Sequence, residues 1–315
     1  MAGMSAKSRA AAVSVLSNAC LVALKLAVGV LSGSVSVVSE AIHSANDLLA
    51  AAIAWFSVRT SDKKPDPEHQ YGHGKVEGIS GAVEAALIVV AAVWIIVQAV
   101  LKIRHGGEIE HLGAGAAVMI VSTVVNIFVS RHLFRVARQE DSLALEADAH
   151  HLSTDVYTSL GVAVGLGVVL TWRTITGGSK ALDIVDPIVA IGVALFILKI
   201  GIDLTKNAVG HLLDRRLPDE DLAVIHGILD GQERLIGWHD LRSRKSGSQR
   251  YVDVHVTMRA DATLAEAHEV AEAVETAIAQ ALPGAQAVVH MEPPEPPAPG
   301  RRDEVGPANA GRAHG

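Results

Sequence analysis

Residues 39–47 read Ser-Glu-Ala-Ile-His-Ser-Ala-Asn-Asp, and the fold turns on how this stretch is read. It lies inside an otherwise apolar segment, yet it carries His43 and Asp47 four residues apart. On a helix, positions i and i+4 share a face, so imidazole and carboxylate point the same way. The same spacing recurs as His151 and Asp155, again entering an apolar run. Two such helices facing each other would bring two imidazoles and two carboxylates to one point, the donor set of a tetrahedral transition-metal site. Ionisable side chains at membrane depth are costly and mark functional sites. A buried His–Asp hydrogen bond that locks two helices would account for one pair; its repetition at identical spacing favours a metal site.

Half of the 315 residues are hydrophobic and the mean hydropathy is +0.32, so membrane spans come before a soluble core. The 34 acidic and 27 basic residues leave a net charge of -7 and no basic excess that would fit nucleic acid. The single cysteine, Cys20, excludes a disulfide framework within the chain and a cysteine-cluster metal site. In its apolar run it reads as a small buried hydrophobe. The 15 histidines are the unusual component.

Outward from residues 39–47, six apolar segments are expected as membrane helices, at about 10–31, 35–58, 76–101, 112–134, 147–172 and 184–204. They form an α-helical membrane domain over residues 8–210, after a short polar start at 1–7 without a cleavable signal. The N-terminus and loops 59–75, 131–138 and 206–216 hold twelve Lys and Arg, against four in the loops of the other side. The positive-inside rule therefore puts both termini in the cytoplasm.

Residues 211–292 have the pattern of a soluble domain. A helix opens at Pro218 and closes near Gly231, and GWHDLRSRKSG (237–247) reads as a strand ending in a turn. In QRYVDVHVTMRA (249–260), Val252, Val254, Val256 and Met258 face one way and Asp253, His255 and Thr257 the other. Thr263 or Asp261 caps a helix to about Ala281, and AQAVVHME (285–292) is a last strand. The order αββαβ gives a small α+β domain, a sheet with helices on one face. Residues 293–315 are rich in Pro, Gly and charge and read as a disordered tail.

Two further groups hold metal-ligating residue types. The loop 59–75 carries Asp66, His69 and His73, and Gly72 and Gly74 let the backbone turn around His73. Spacing alone fits a metal site and a solvated loop equally. The soluble domain carries His239, His255, His268 and His290, one per element, with Glu292 and Asp240 nearby. Scattered surface histidines would give the same spacing. Asp148, near the start of the fifth span, reads as a first-turn acid, and His150 as turned about 100° from His151. His226 shares a helical stripe with Leu222, Ile225 and Leu229 and reads as a buried edge.

These segments together resemble the cation diffusion facilitator family, and within it the bacterial zinc/proton antiporters. The resemblance spans residues from about 8 to 292 and rests on SEAIHSANDLL, YGHGKVEGIS, EADAHHLSTDVYTS, LDIVDPIVA and LLDRRLPDE, continued by HDLRSRKSG, YVDVHVTM, AHEVAEAVE and VVHMEP. It implies a homodimer in the bacterial inner membrane, each subunit with six transmembrane helices and a ferredoxin-like cytoplasmic domain that carries much of the dimer contact. It implies His43, Asp47, His151 and Asp155 as the transport site, in the His/Asp form associated with zinc, and Asp66, His69 and His73 as a loop site. His239, His255, His268 and His290 match the ligands of a binuclear cytoplasmic site, with Glu292 where some relatives have Asp. Lys75 and Asp214 match an intersubunit charge pair near the membrane surface.

The expected function is efflux of a divalent cation, Zn²⁺ first, by alternating access in exchange for protons. Zn²⁺ is then both cargo and a regulatory ligand of the cytoplasmic domain. Nitrogen and oxygen donors without sulfur suit Zn²⁺, and Cd²⁺, Co²⁺, Fe²⁺ or Mn²⁺ are the alternatives. Binding needs neutral His and ionised Asp, so metal displaces protons. A membrane metalloenzyme would need a motif such as HExxH, which the sequence lacks. A metal sensor that moves nothing has no need of ligands at membrane depth.

Overall fold

In a computed structural model, residues 5–32, 35–105, 114–176 and 185–294 are described. The expected tail lies outside these residues from 295 onward. The described residues form two compact units, one within Met1–Arg216 with Arg244–Arg250, the other within Leu217–Ser243 with Tyr251–Gly315.

The first unit is built of α1 (Ala6–Ser32), α2 (Val35–Ser61), α3 (Lys75–His105), α4 (Ala114–Glu140), α5 (Leu143–Thr176) and α6 (Val185–Leu212). Each has at least 27 residues, or about 40 Å at 1.5 Å per residue, more than the roughly 30 Å of hydrocarbon in a bilayer. Within them Ala6–Leu31, Lys75–Leu101, Met119–Glu140 and Pro187–Leu212 are long and apolar enough to cross a membrane. Helices α2 and α5 are as long, and each combines an apolar stretch with acidic residues, Asp47 in α2 and Asp148 and Asp155 in α5.

The helices run past the expected apolar limits. Helix α4 continues through Arg131, Arg135 and Arg138, and α5 starts at Leu143, four residues early. Backbone hydrogen bonding does not stop at the edge of the hydrocarbon, and Arg, Leu and Ala are good helix formers.

Small residues let the helices approach closely. Ala50, Ala51, Ala54, Ala85, Ala92, Ala144, Ala147 and Ala149 are completely buried. At Gly201 on α6 a methyl group would come within 2.8 Å of Val89 Cγ2 on α3, so the close approach of these helices requires glycine. The outer surface is apolar: Val90, Trp94 and Phe128 are each more than 60% exposed, as lipid-facing side chains should be. Cys20 is exposed on this surface too, not buried as its apolar setting predicts. In a membrane helix an apolar position can face lipid instead of a protein core.

Near the helix ends a buried ion network joins four segments. Lys7 Nζ on α1 reaches Asp62 Oδ1 at 2.8 Å and Glu77 Oε1 on α3 at 2.9 Å. Ser61 and Ser142 donate their hydroxyl hydrogens to the two oxygens of Glu77, each at 2.6 Å.

The second unit follows the order α7 (Asp219–Asp230), β1 (Gly237–Ser246), β2 (Gln249–Thr257), α8 (Leu264–Ala281) and β3 (Ala285–Glu292). The sheet order is β1-β2-β3. The Ile236 amide donates to the Thr257 carbonyl, so β1 and β2 run antiparallel. The Met258 amide donates to the Glu292 carbonyl at the matching end of β3, so β2 and β3 run parallel, joined by the α8 crossover. Thr263 caps α8 in a reciprocal capping box with Glu266. Leu222, Ile225 and Leu229 of α7 and Val274 and Ile278 of α8 pack with Val252, Val254 and Val256 of β2 in one core. Both helices therefore cover the same face of the sheet. His226 stacks on Trp238 at a centroid distance of 5.0 Å.

Ile278→Ala is expected to lower the stability of this unit by about 2–5 kcal/mol. Hydrogen exchange of the β2 amides in the whole protein measures it.

Candidate metal centres

The first centre lies between α2 and α5. The turn that carries His43 is helical, but its side chain lies outside the described ones. Asp47, 5% exposed, meets His151: Oδ1 and Nε2 are 3.3 Å apart. The other ring nitrogen, Nδ1, is buried and has no hydrogen-bond partner among the described residues. Asp155, one turn further along α5, accepts a hydrogen bond of 3.5 Å from Asn126 Nδ2 on α4. Asp47, His151 and Asp155 line a cavity of about 740 Å³ together with Asn18, Lys25 and Ser44. Lys25 Nζ donates to Ser44 Oγ at 2.7 Å. His150 turns away from this cavity and meets Phe134 edge to face.

Asp148 is not in the first turn of α5, where its position in the sequence predicts an acid. It is fully buried, with the Ser14 side chain as its hydrogen-bonding neighbour. The cause is the early start of α5, which carries Asp148 a turn deeper. Glu84 on α3 is likewise fully buried, beside the Ser80 hydroxyl. Neither Glu84 nor Asn126 was expected as part of the polar interior. The one signal for each is a single polar residue in an apolar run.

The second centre is the loop after α2. Asp66 Oδ1 accepts from the backbone amides of Glu68 and His69, at 3.0 and 2.6 Å, and so closes the turn. His69 Nδ1 and His73 Nε2 lie 3.2 and 3.3 Å from the two Asp66 oxygens. Gly72, at φ +78°, supplies the left-handed step that brings His73 back to Asp66. One potential ligand atom from each of the three residues lies within 4.8 Å of the others. The His69 amide holds the Asp66 carboxyl below its ordinary value, so the acid stays ionised at neutral pH.

The third centre is a row of side chains on the uncovered face of the sheet. In β3, Ala285, Ala287, Val289 and Met291 pack with the core, so His290 and Glu292 face the other way. His255 takes the same face of β2. In β1 the alternation breaks: Trp238 and Leu241 both pack with the core although three residues apart. Asp240, at φ +50°, absorbs the extra residue as a β-bulge and leaves His239 on the His255 side. Ring centroids run 5.3 Å from His239 to His255 and 4.7 Å from His255 to His290, close to the spacing of adjacent strands. Glu292 ties the row together, with oxygens 3.2 Å from His239, 2.8 Å from His255 and 3.4 Å from His290. His239, His255 and Glu292 meet the geometric requirement for a shared ion. His268 is exposed on α8, which packs on the opposite face, so the row forms without it.

Lys75 and Asp214 pair at 3.0 Å within the chain. Burial pushes the Asp214 carboxyl up, but Lys75 and then Arg244, at 3.4 Å, outweigh it and hold the acid below its usual range.

Residues 11–213 match the cation efflux transmembrane domain, and residues 217–294 match the cytoplasmic domain of cation efflux proteins. This chain belongs to the cation efflux, or cation diffusion facilitator, family. Among its relatives, an uncharacterized transporter of Synechocystis sp. is 34% identical over 87% of this chain and 86% of its own length. The cation-efflux pump FieF of Citrobacter koseri is 31% identical over 91% and 92%. A solved structure described as the zinc form of a putative zinc transporter, CzrB, is 36% identical over 26% of this chain and 93% of its own, with a TM-score of 0.25. Members of this family are transporters, not enzymes, and this chain has the helical membrane domain and the small cytoplasmic sheet domain that the family joins.

Two outcomes follow from these geometries. Glu292→Ala should weaken metal binding by the histidine row at least about tenfold, as read by zinc titration of the whole protein. Because the folded value of Asp66 is depressed, its contribution to the turn is complete above its ordinary value of 3.8 and is lost as pH falls through the lowered one. The amide resonances of Glu68 and His69 report that loss.

Proposed function

We propose that this chain exports a divalent transition-metal cation, Zn²⁺ first, across the bacterial inner membrane in exchange for protons. It does so as a homodimer, with six spans per subunit and both termini cytoplasmic. The observation that carries this reading is the contact of His151 with Asp47, between α2 and α5, inside a cavity of a family that moves cations. Nε2 and Oδ1 stand 3.3 Å apart, a separation bridged by one proton. A metal ion bound by both, at roughly 2.0–2.2 Å from each, takes the place of that proton. Occupancy by metal and by proton is therefore exclusive, and exclusivity is what exchange requires. His43 and Asp155, one turn away on the same two helices, complete the ligand set. Two imidazoles with two carboxylates favour Zn²⁺ over Mn²⁺ and Fe²⁺, with Cd²⁺ and Co²⁺ as nearer competitors.

Helices α2 and α5 serve as the second and fifth of the six spans, with Asp47, His151 and Asp155 turned to the cavity. The cytoplasmic row takes Zn²⁺ as a regulatory ligand, and metal there favours the transport-competent dimer. His268 lies on the helix-covered face, so a second copy of the chain is its route to such a row.

Zn²⁺ uptake into proteoliposomes under an imposed pH gradient tests the reading. Asp47→Ala and Asp155→Ala should each abolish gradient-driven uptake, and Cd²⁺ should compete better than Mn²⁺. Undiminished transport in either variant would remove the proposed site, and uptake that ignores the gradient would remove the exchange.

A further inference from the structure

A second cavity, of about 850 Å³, opens at the end of the bundle where α4 stops, α5 begins and α6 stops. It belongs to none of the metal centres. Its lining includes Arg131, Arg135 and Arg138 from the last turns of α4, spaced i, i+4 and i+7 and so on one face of the helix. His150 of α5, His211 of α6 and Lys245 add to the wall.

The positive charge of this wall is only partly compensated. Among the described residues, no ion pair or hydrogen bond forms through the guanidinium of Arg131, Arg135 or Arg138. Two acids share the lining, Asp141 and Glu146. Asp141 is already engaged by Lys245 and, at 3.1 Å, by Arg250. Glu146 acts on Arg138 only at electrostatic range. Three arginines thus face one unengaged carboxylate and two histidines. His150 has one ring contact, the edge of Phe134, and takes no part in the metal centre.

We propose that this cavity binds the phosphate group of an anionic lipid headgroup from the cytoplasmic leaflet. Guanidinium groups are planar forks that match phosphate oxygens in pairs, and three on one helix face give them repeated purchase. The site lies where a membrane helix ends, the depth at which headgroups sit and at which Arg side chains reach for the interface. Phe134, in the same wall, offers an apolar surface beside the charges, as a headgroup with its first acyl carbons requires. A basic pocket between helix ends on the arginine-rich side of the membrane is a lipid-phosphate site by composition.

Native mass spectrometry of the full-length protein in detergent, given equal mole fractions of phosphatidylglycerol and phosphatidylcholine, tests this. Wild type should retain phosphatidylglycerol preferentially. Each of Arg131→Gln, Arg135→Gln and Arg138→Gln should lower its retention about fivefold, the effect of roughly 1 kcal/mol per basic residue near an anionic surface. Arg135→Lys should retain more than Arg135→Gln. Unchanged zinc binding by the triple variant shows that it is folded; if it does not fold, the single variants decide. Equal retention of phosphatidylglycerol by wild type and the Gln variants, or equal retention of the two lipids by wild type, overturns the proposal. A millimolar inorganic phosphate arm separates the sources. Failure to displace the lipid supports the headgroup, whereas arginine-dependent displacement assigns the cavity to free phosphate and overturns the lipid assignment.

Discussion

An ionised side chain in hydrocarbon must find a partner or lose its charge, and this constraint orders the whole first unit. Three arrangements are visible. At the helix ends Lys7 is held by Asp62 and Glu77, and Glu77 in turn by two serine hydroxyls. That network has its hydrogen bonds filled and acts as a fixed joint between α1, α2, α3 and the start of α5. In the cavity, Asp47 and His151 touch each other while one nitrogen of the ring has no partner among the described residues. Glu84 and Asp148 are fully buried too, with Ser80 and Ser14 as their hydroxyl neighbours. The joint is closed by ion pairs, whereas the cavity keeps a histidine and carboxylates open to a ligand.

The same constraint divides labour among the helices. Helices α2 and α5 carry Asp47, His151 and Asp155, and these polar side chains depend on neighbouring helices to shield them from lipid. Close approach through alanine, and through Gly201 on α6, provides that shielding without large side chains. Tight helix packing and the polar interior are therefore one arrangement seen from two sides.

Much of this was legible in the sequence because periodicity carries it. The alternation in β2 placed Val252, Val254 and Val256 in the core and His255 outside it, where they are found. The glycines flanking His73 marked a sharp backbone turn there, and Gly72 takes the left-handed conformation that makes it. What escaped depends on contacts that sequence separation does not encode. The start of α5 was set too late because hydropathy marks the hydrocarbon and not the helix, and this misplaced Asp148. His268 was grouped with the other histidines because residue type says nothing about which face of a sheet a helix covers.

The left-handed residue at Asp240 has a wider consequence. Strand β1 must serve two alternations at once, one that seats Trp238 and Leu241 in the core and one that aims His239 at Glu292. A single inserted residue reconciles them, as a vernier offsets one scale against another. Loss of that residue would leave the apolar scale free to re-seat and turn His239 inward, with the composition of the strand almost unchanged. Metal capture by this domain is thereby written in the count of residues along an edge strand, where a length change of one can switch it off without altering any ligand.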